Sequence, residues 1–348
     1  MGIFAAMNLV ADFRSDTITL PTPAMKEAMF SAPLGDDVFG DDPTVNTLEE
    51  KVAKLFGMES ALFCVSGTMA NQLAIKCQTQ SGSQVICDKN AHVYLYEGGG
   101  IAANALSSVK LIDGENGLLT AAQIAPAINA DNIHFPKTAL VCLENTMNKG
   151  GGVYYDLSEI IQIKKVCEQH NLKLHLDGAR LFNALVETSE NPADYGSQFD
   201  SISICLSKGL GCPVGSMLIG STAFIYHARR QRKVWGGGWR QAGLLAAAGI
   251  YALDNHVDRL KEDHKAARAL ALTLNGKSWV KKVYPVKTNI IIFELPDSIL
   301  ASDFVTVLEK QNVRCVTFGK HLVRFVTHLD LTETHIAFTK HVLDQLKF

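Results

Sequence analysis

The segment ICLSKGLGCPVGSMLIG (residues 204–220) carries a lysine where a cation is least expected. An apolar run over 201–206 delivers Lys208 into Ser, Gly, Cys and Pro, and the chain turns apolar again at Met217. Gly209, Gly211 and Gly215 read as clearing space around it. A lysine displayed after a strand and screened by small residues can be desolvated into a nucleophilic amine. Two further groups sit at comparable places. In LKLHLDGARLFNA an apolar strand ends at Leu176, Asp177 follows, and Gly178-Ala179-Arg180 turns the chain into a helix. Such an acid either caps the helix or faces a ligand, and Arg180 beside it suits an anion. CVSGTMANQ places Ser66-Gly67-Thr68 at a strand-to-helix turn, where free backbone N–H groups and hydroxyls form a phosphate cradle. Neither the GxxxxGK[ST] spacing nor GxGxxG is present. Singly, each feature also suits an ordinary loop or cap. Jointly they fit one cofactor, pyridoxal 5′-phosphate, with Lys208 as covalent anchor, Asp177 on the pyridine nitrogen and the turn on the phosphate.

The elements that must carry these groups follow from periodicity. Residues 44–56 show an amphipathic helix pattern, with Leu48, Val52 and Leu55 on one face. ESALFCVSGTMANQLAIKC predicts a short strand, a tight turn and a helix. Short apolar runs follow at 84–87, 108–112, 138–143, 172–176, 201–206 and 215–219, separated by helical stretches such as 157–170. Strands alternating with helices predict the α/β class, a mostly parallel sheet covered on both faces. Such sheets hold ligands at the carboxyl ends of their strands. Beyond WGGGWRQAGLLAAAGIYAL a charged helix is expected over 257–274, then a mixed region containing TNIIIFEL and HLVRFVTHL. The expected organisation is an N-terminal segment 1–20, a large domain 21–255 and a smaller C-terminal α+β domain 256–348.

Composition narrows the class further. With 348 residues the chain can bury a large core. Hydrophobic content of 47% against 20% charged fits a water-soluble globular protein rather than a disordered one. A formal net charge of −2 with scattered Lys and Arg gives no nucleic-acid or membrane footprint. The eight cysteines form no CxxC pair and read as free thiols of a reducing compartment, so the cytoplasm is the expected location. The opening MGIFAAMNLVADF lacks the basic flank and long apolar stretch of a secretory signal, Ala6 breaks the myristoylation pattern, and Met7 is an alternative start.

DFRSDTITLPT, GDDVFGDDPTVNTLEEKVA, SGTMANQLA, LHLDGARLFNA, ICLSKGLGCPVGS, GGGWRQAG and VRFVTHLDL together resemble the low-specificity L-threonine aldolases. These are fold-type I pyridoxal-phosphate enzymes of the aspartate aminotransferase-like superfamily. The resemblance runs from about Asp12 to the C-terminal helix. It implies cleavage of L-threonine and L-allo-threonine to glycine and acetaldehyde, with tolerance for other β-hydroxy-α-amino acids. It also implies a homotetramer, a dimer of dimers with sites at subunit interfaces.

Position by position, the resemblance makes Lys208 the cofactor lysine and Asp177 the pyridinium partner, with Gly67 and Thr68 in the phosphate loop. It puts Arg180 near the cofactor's phenolic oxygen and the substrate carboxylate. Arg324 clamps that carboxylate, and Ser15 lies in the same pocket. Arg240 reaches the phosphate of a neighbouring subunit. His92 stacks on the ring, and His134 is a second histidine near the substrate hydroxyl. No metal is implied. Three positions depart from the pattern: Phe39 where Tyr is frequent, Met147 where His is common, and Trp239 in place of Met. A β-eliminating lyase or a phenylserine-type aldolase would share Lys208, Asp177 and Arg324 and differ at His92, His134 and Phe39. A non-catalytic relative would be expected to lose the lysine, the acid and the arginine first. The missing glycine fingerprint counts against a nicotinamide-dependent oxidoreductase.

Overall fold

The short apolar runs become strands, and the strands form three sheets, in a computed structural model that describes residues 9–347. The readings of residues 1–8, including Met7 and Ala6, lie outside the described residues. In chain order the strands are β1 (Ala11–Asp12), β2 (Ser60–Cys64), β3 (Gln84–Asp88), β4 (Ser108–Ile112), β5 (Thr138–Glu144), β6 (Lys173–Gly178) and β7 (Ser201–Cys205). Then come β8 (Ser216–Gly220), β9 (Lys282–Val283), β10 (Ile290–Glu294), β11 (Val313–Arg314), β12 (Val316–Thr317) and β13 (Leu322–Val326).

The large sheet runs β2-β8-β7-β6-β5-β3-β4. β8 lies antiparallel to both β2 and β7, while the pairings from β7 to β4 are parallel. The expected α/β class with a mostly parallel sheet is therefore what the chain adopts. β3, β7 and β8 are buried along their whole length, which is why they read as continuous apolar runs rather than alternating ones. Helices cover the faces. The helix Leu157–Gln169 buries Ile160, Ile163 and Cys167 on one stripe, and its N-cap Asp156 accepts from the Ser158 amide. The helix Pro43–Leu55 buries Leu48 and Val52 as expected, but Leu55 stays exposed and Phe56 fills the core in its place.

The smaller sheet runs β12-β13-β10-β9, entirely antiparallel. It packs with the helices Leu260–Asn275, Ala301–Lys310 and Glu333–Gln345 around a second core that includes Leu270, Phe293, Phe304 and Phe325. The N-terminal residues join this core rather than standing apart. β1 pairs in parallel with β11, Ala11 opposite Val313, and the Phe13 ring stacks on Phe325 at 5.0 Å. The Phe13 carbonyl also accepts the Val326 amide at 2.9 Å. Among the described residues no helix is long and apolar enough to cross a membrane.

Phe13 is fully buried, so its truncation leaves a cavity in the smaller core. Phe13→Ala is expected to cost about 3–5 kcal/mol, read as a lowered urea midpoint. An unchanged midpoint would show that the N-terminal residues contribute nothing to the cooperative core.

Candidate active site

Register brings the strand-end groups together. Glu144 of β5 lies opposite Asp177 of β6, and Asp177 lies opposite Ser203 of β7. At this edge Gly67, Thr68, Asn71, His92, Asp177 and Lys208 line one cavity of about 160 Å³. Wider grooves of about 630 and 840 Å³ open elsewhere, and neither is lined by Lys208 or Asp177. The chemistry therefore concentrates in the smaller space.

Lys208 stands three residues past the end of β7, half-buried, with its Nζ donating to Cys205 Sγ at 3.3 Å. The glycines around it do other work than the sequence suggested. A Cβ at Gly215, where φ is +115°, would meet the Phe63 ring at 2.5 Å, and one at Gly209 would meet Leu260 at 3.1 Å. These two residues let secondary structure close up behind the lysine. Space at the cavity comes instead from Gly67, where a Cβ would lie 2.6 Å from Cys205 Sγ. Gly67 opens the helix Gly67–Gln78, whose N-cap Ser66 accepts the Met69 amide. The first-turn amides of Gly67 and Thr68 have no intrahelical acceptor, which suits them to a phosphate.

On the side of the large sheet, Asn71 organises the acids. Its Nδ2 donates to Asp177 Oδ2 at 2.9 Å and to Glu97 Oε1 at 2.8 Å. Its Oδ1 accepts from Ser203 Oγ at 2.6 Å and from His175 Nε2 at 3.1 Å. Burial holds His175 down to about 4, outweighing the charge of Asp177, so the ring is neutral. With its proton on Nε2, its Nδ1 accepts from Ser201 Oγ at 2.8 Å. Glu97 also takes the Gln72 amide at 2.6 Å and the His92 Nδ1–H at 2.9 Å. Burial lowers the His92 affinity for protons, but the Glu97 hydrogen bond and the charges of Asp177, Glu97 and Glu144 together raise it. Glu144 accepts the His92 and Asn148 amides at 2.7 and 2.9 Å. Burial and then the Asp177 charge push its carboxyl up to about 7, against those two amides and His92. His92, Glu97 and Asp177 could gather around a metal ion. The Asn71 amide, however, points hydrogens into both carboxylates where a cation would sit.

On the side of the smaller sheet the charge is positive. Arg180 is buried and grips Asp16 through Nε and Nη2, both at 2.7 Å. Burial opposes the Asp16 charge, yet Arg180, Lys208 and the Asn289 amide hold it at about 2. Arg324 of β13 donates Nη1 to Asn148 Oδ1 and Nη2 to the Arg14 carbonyl, each at 2.9 Å. Its Nε is buried without an acceptor. Burial and then the Arg180 charge bring Arg324 down to about 10. A carboxylate arriving here would satisfy the orphaned donor and relieve the repulsion between the two arginines.

Several expected residues lie elsewhere. Ser15 caps the short turn Asp16–Ile18, accepting from the Thr17 amide and hydroxyl; Thr17 lines the cavity, and Asp16 is bound to Arg180. Arg240 is largely exposed and bonded to Asp36 at 2.9 Å, outside the cavity lining. His134 is exposed in the loop before β5, with its amide on Asn132 Oδ1. That is the amino end of a seven-residue strand whose carboxyl end carries Glu144, so about 20 Å of strand separates it from the site within this chain. Of the departures, Phe39 is exposed and Met147 is fully buried against the Gly117 turn. Trp239 stacks on Phe63 at 5.1 Å. Asp16, Asn71, Glu97, Glu144 and Asn148 escaped the sequence reading. Only their convergence in space distinguishes them, although Asp16 and Asn71 stood inside the quoted motifs.

Glu97 is the largest influence raising the His92 proton affinity, so Glu97→Gln is expected to lower it. Diethyl pyrocarbonate reacts only with the neutral ring, and peptide mass spectrometry can follow His92 alone. The pH of half-maximal modification should fall in the variant. A value unchanged or raised would place the proton under the control of Asp177 and Glu144 instead.

Comparison with known proteins agrees with this geometry. Residues 12–297 match the family described as beta-eliminating lyase. The chain is 42% identical to the low specificity L-threonine aldolase of Escherichia coli K12 over 94% of this chain and 96% of that one. It is 39% identical to low-specificity L-threonine aldolase 1 of Arabidopsis thaliana, covering 94% of each. Its fold is that of a Leishmania major threonine aldolase structure, with a TM-score of 0.84, 23% identity, and 96% and 99% of the two chains covered. A chain this similar along nearly its whole length, with the strand-end lysine, acid and glycine turn converging on one cavity, belongs to the beta-eliminating lyase family and, within it, to the low-specificity L-threonine aldolases.

Proposed function

We propose that this chain cleaves L-threonine and L-allo-threonine between Cα and Cβ to give glycine and acetaldehyde, and accepts other β-hydroxy-α-amino acids. It is a carbon–carbon lyase dependent on pyridoxal 5′-phosphate. The observation that carries the reading is the single cavity lined by Lys208, Asp177, Gly67 and Thr68, with Arg180 and Arg324 charged toward the same region.

The residues fit the cofactor. Lys208 would hold it covalently, the first turn of the Gly67–Gln78 helix would take its phosphate, and Asp177 would keep a proton on its ring nitrogen. Gly67 supports this fit, since any side chain there would close the space against Cys205. When bound, pyridoxal 5′-phosphate supplies the sink for the electron pair freed at Cα. Arg324 binds the substrate carboxylate through its unpaired Nε–H, and Arg180 adds a second positive charge behind it. Fixing the carboxylate and the amine selects which bond at Cα breaks. His92 takes the β-hydroxyl proton at Nε2, because Glu97 holds the proton on Nδ1.

The chain is further read as two domains, 21–255 and 256–348, with the N-terminal residues joined to the second through β1 and Phe13. A homotetramer with sites completed across subunits is part of the same reading. Its support is Arg240, which lies outside the cavity and binds Asp36 beside the exposed Leu34, Val38 and Phe39. A cytoplasmic location is supported by eight free cysteines.

The direct test is acetaldehyde release from L-threonine, L-allo-threonine and the two D-isomers in parallel, on yellow protein bleached by borohydride at Lys208. Release from both L-isomers is expected. A colourless protein that takes up no pyridoxal 5′-phosphate, or release from the D-isomers alone, would overturn the reading. Arg324→Ala is expected to lower kcat/KM for L-threonine by about 100-fold with the visible band retained, as for loss of a charged partner. Loss of the band would instead make Arg324 a holder of the cofactor or the fold.

A further inference from the structure

The turn that follows β5, Asn148-Lys149-Gly150-Gly151-Gly152, is wedged against the smaller sheet. A Cβ at Gly151 would meet Ile292 at 3.3 Å, and one at Gly152 would collide with Thr288 Oγ1. The turn is thus fixed in place, and two of its side chains meet residues around the site. Asn148 holds Arg324. Lys149 is half-buried, with its Nζ 4.1 Å from the Phe318 ring centroid and 5.9 Å from that of Tyr96. The same Phe318 ring lies 5.0 Å from the Arg324 guanidinium, and the Tyr96 ring lies 5.6 Å from the His92 ring. Lys149 is therefore one aromatic ring removed both from the carboxylate-binding arginine and from the histidine that meets the β-hydroxyl.

Its charge has no obvious use there. Among the described residues no carboxylate lies within ion-pair distance of Lys149, while Arg14, Arg180 and Arg240 each have one. Aromatic faces attract the ammonium but leave its hydrogen-bond donors open. A substrate carboxylate satisfies Arg324, so a second cation at the rim calls for a second anion on the substrate. His92 marks where that anion would be: beside the carbon that bears the hydroxyl, with the Tyr96 ring between the imidazole and the Lys149 ammonium.

We propose that Lys149 makes this site accept β-hydroxy-α-amino acids whose β-substituent is a carboxylate, of which 3-hydroxyaspartate is the smallest, alongside threonine. The proposal rests on the cleavage reading above. The Cα–Cβ bond breaks, the β-hydroxyl loses its proton to His92 as the carbonyl forms, and Cα gains a proton. The products are glycine and glyoxylate, and no oxidant or reductant is needed.

The test measures glycine formation by the holoenzyme from L-threonine and from both diastereomers of L-3-hydroxyaspartate, in the parent protein, K149M and K149R. The ratio of kcat/KM for hydroxyaspartate to that for threonine is the readout, because a general loss of folding or cofactor cancels in it. K149M should lower the ratio about tenfold, the loss of one partly screened charged contact, and K149R should restore most of it. In the parent protein the ratio should also fall with added salt, which needs no variant. Cleavage of threonine without hydroxyaspartate, or a ratio unmoved by K149M and by salt, would overturn the proposal. Failure with every substrate would overturn the cleavage reading beneath it.

Discussion

A buried ion pair between Asp16 and Arg180 holds the site together. Neither partner is solvated, and each would be costly to bury alone. The pair joins the N-terminal turn to the turn after β6, and Asn289, just before β10, donates to the same carboxylate. Three remote parts of the chain therefore meet at one acid. Because Arg180 is committed to Asp16, its position is fixed, and Arg324 is left as the arginine with an open donor. Breaking this pair would strand a charge in the interior and release the wall between the two sheets.

The rest of the site acquires a direction from that arrangement. Acidic groups gather around Asn71, while Arg324 of β13 brings a positive charge from the smaller sheet. The carboxylate of an α-amino acid is therefore drawn toward Arg324 and repelled from Asp177 and Glu97. Three carboxyls in contact would accumulate too much negative charge. Glu144 relieves this, since with its carboxyl near 7 it retains a proton for part of the time near neutrality. Its two backbone amide contacts then tie the His92 and Asn148 segments to a common point.

The parts of this molecule that could be read from the sequence are those in which local chemistry and local structure coincide. Most strands from 84 to 219 were legible because strands buried on both faces read as short apolar runs between amphipathic helices; β4, at the sheet edge, is largely exposed. Lys208, Asp177 and Gly67 were legible because each ends a strand at a small-residue turn, the place where an α/β sheet holds its ligands. Glu97 and Glu144 carry no such mark; an acid in a loop or at the end of an apolar run looks the same whether it binds a histidine or water. The role of Asn71 arises from four partners spread over more than a hundred positions. The His134 assignment came from resemblance alone, and within this chain the residue lies before β5, at the end of the strand opposite Glu144. The glycines near Lys208 were seen but misread, because spacing cannot tell a cavity from a close-packed wall.

The joining of β1 to β11 has a consequence for how the protein is made. Arg14 and its partner Arg324 are separated by 310 positions. At roughly ten residues per second, a ribosome needs about half a minute to supply the second after the first. For most of that interval Ala11, Phe13 and Asp16 have none of their final partners from the smaller core, while β2 to β8 can already assemble. β13 therefore closes over a preformed sheet, and the arginine it carries arrives after the lysine, the acid and the glycine turn. A chain grown only as far as β8 would have those three groups but would lack Arg324 and its open donor.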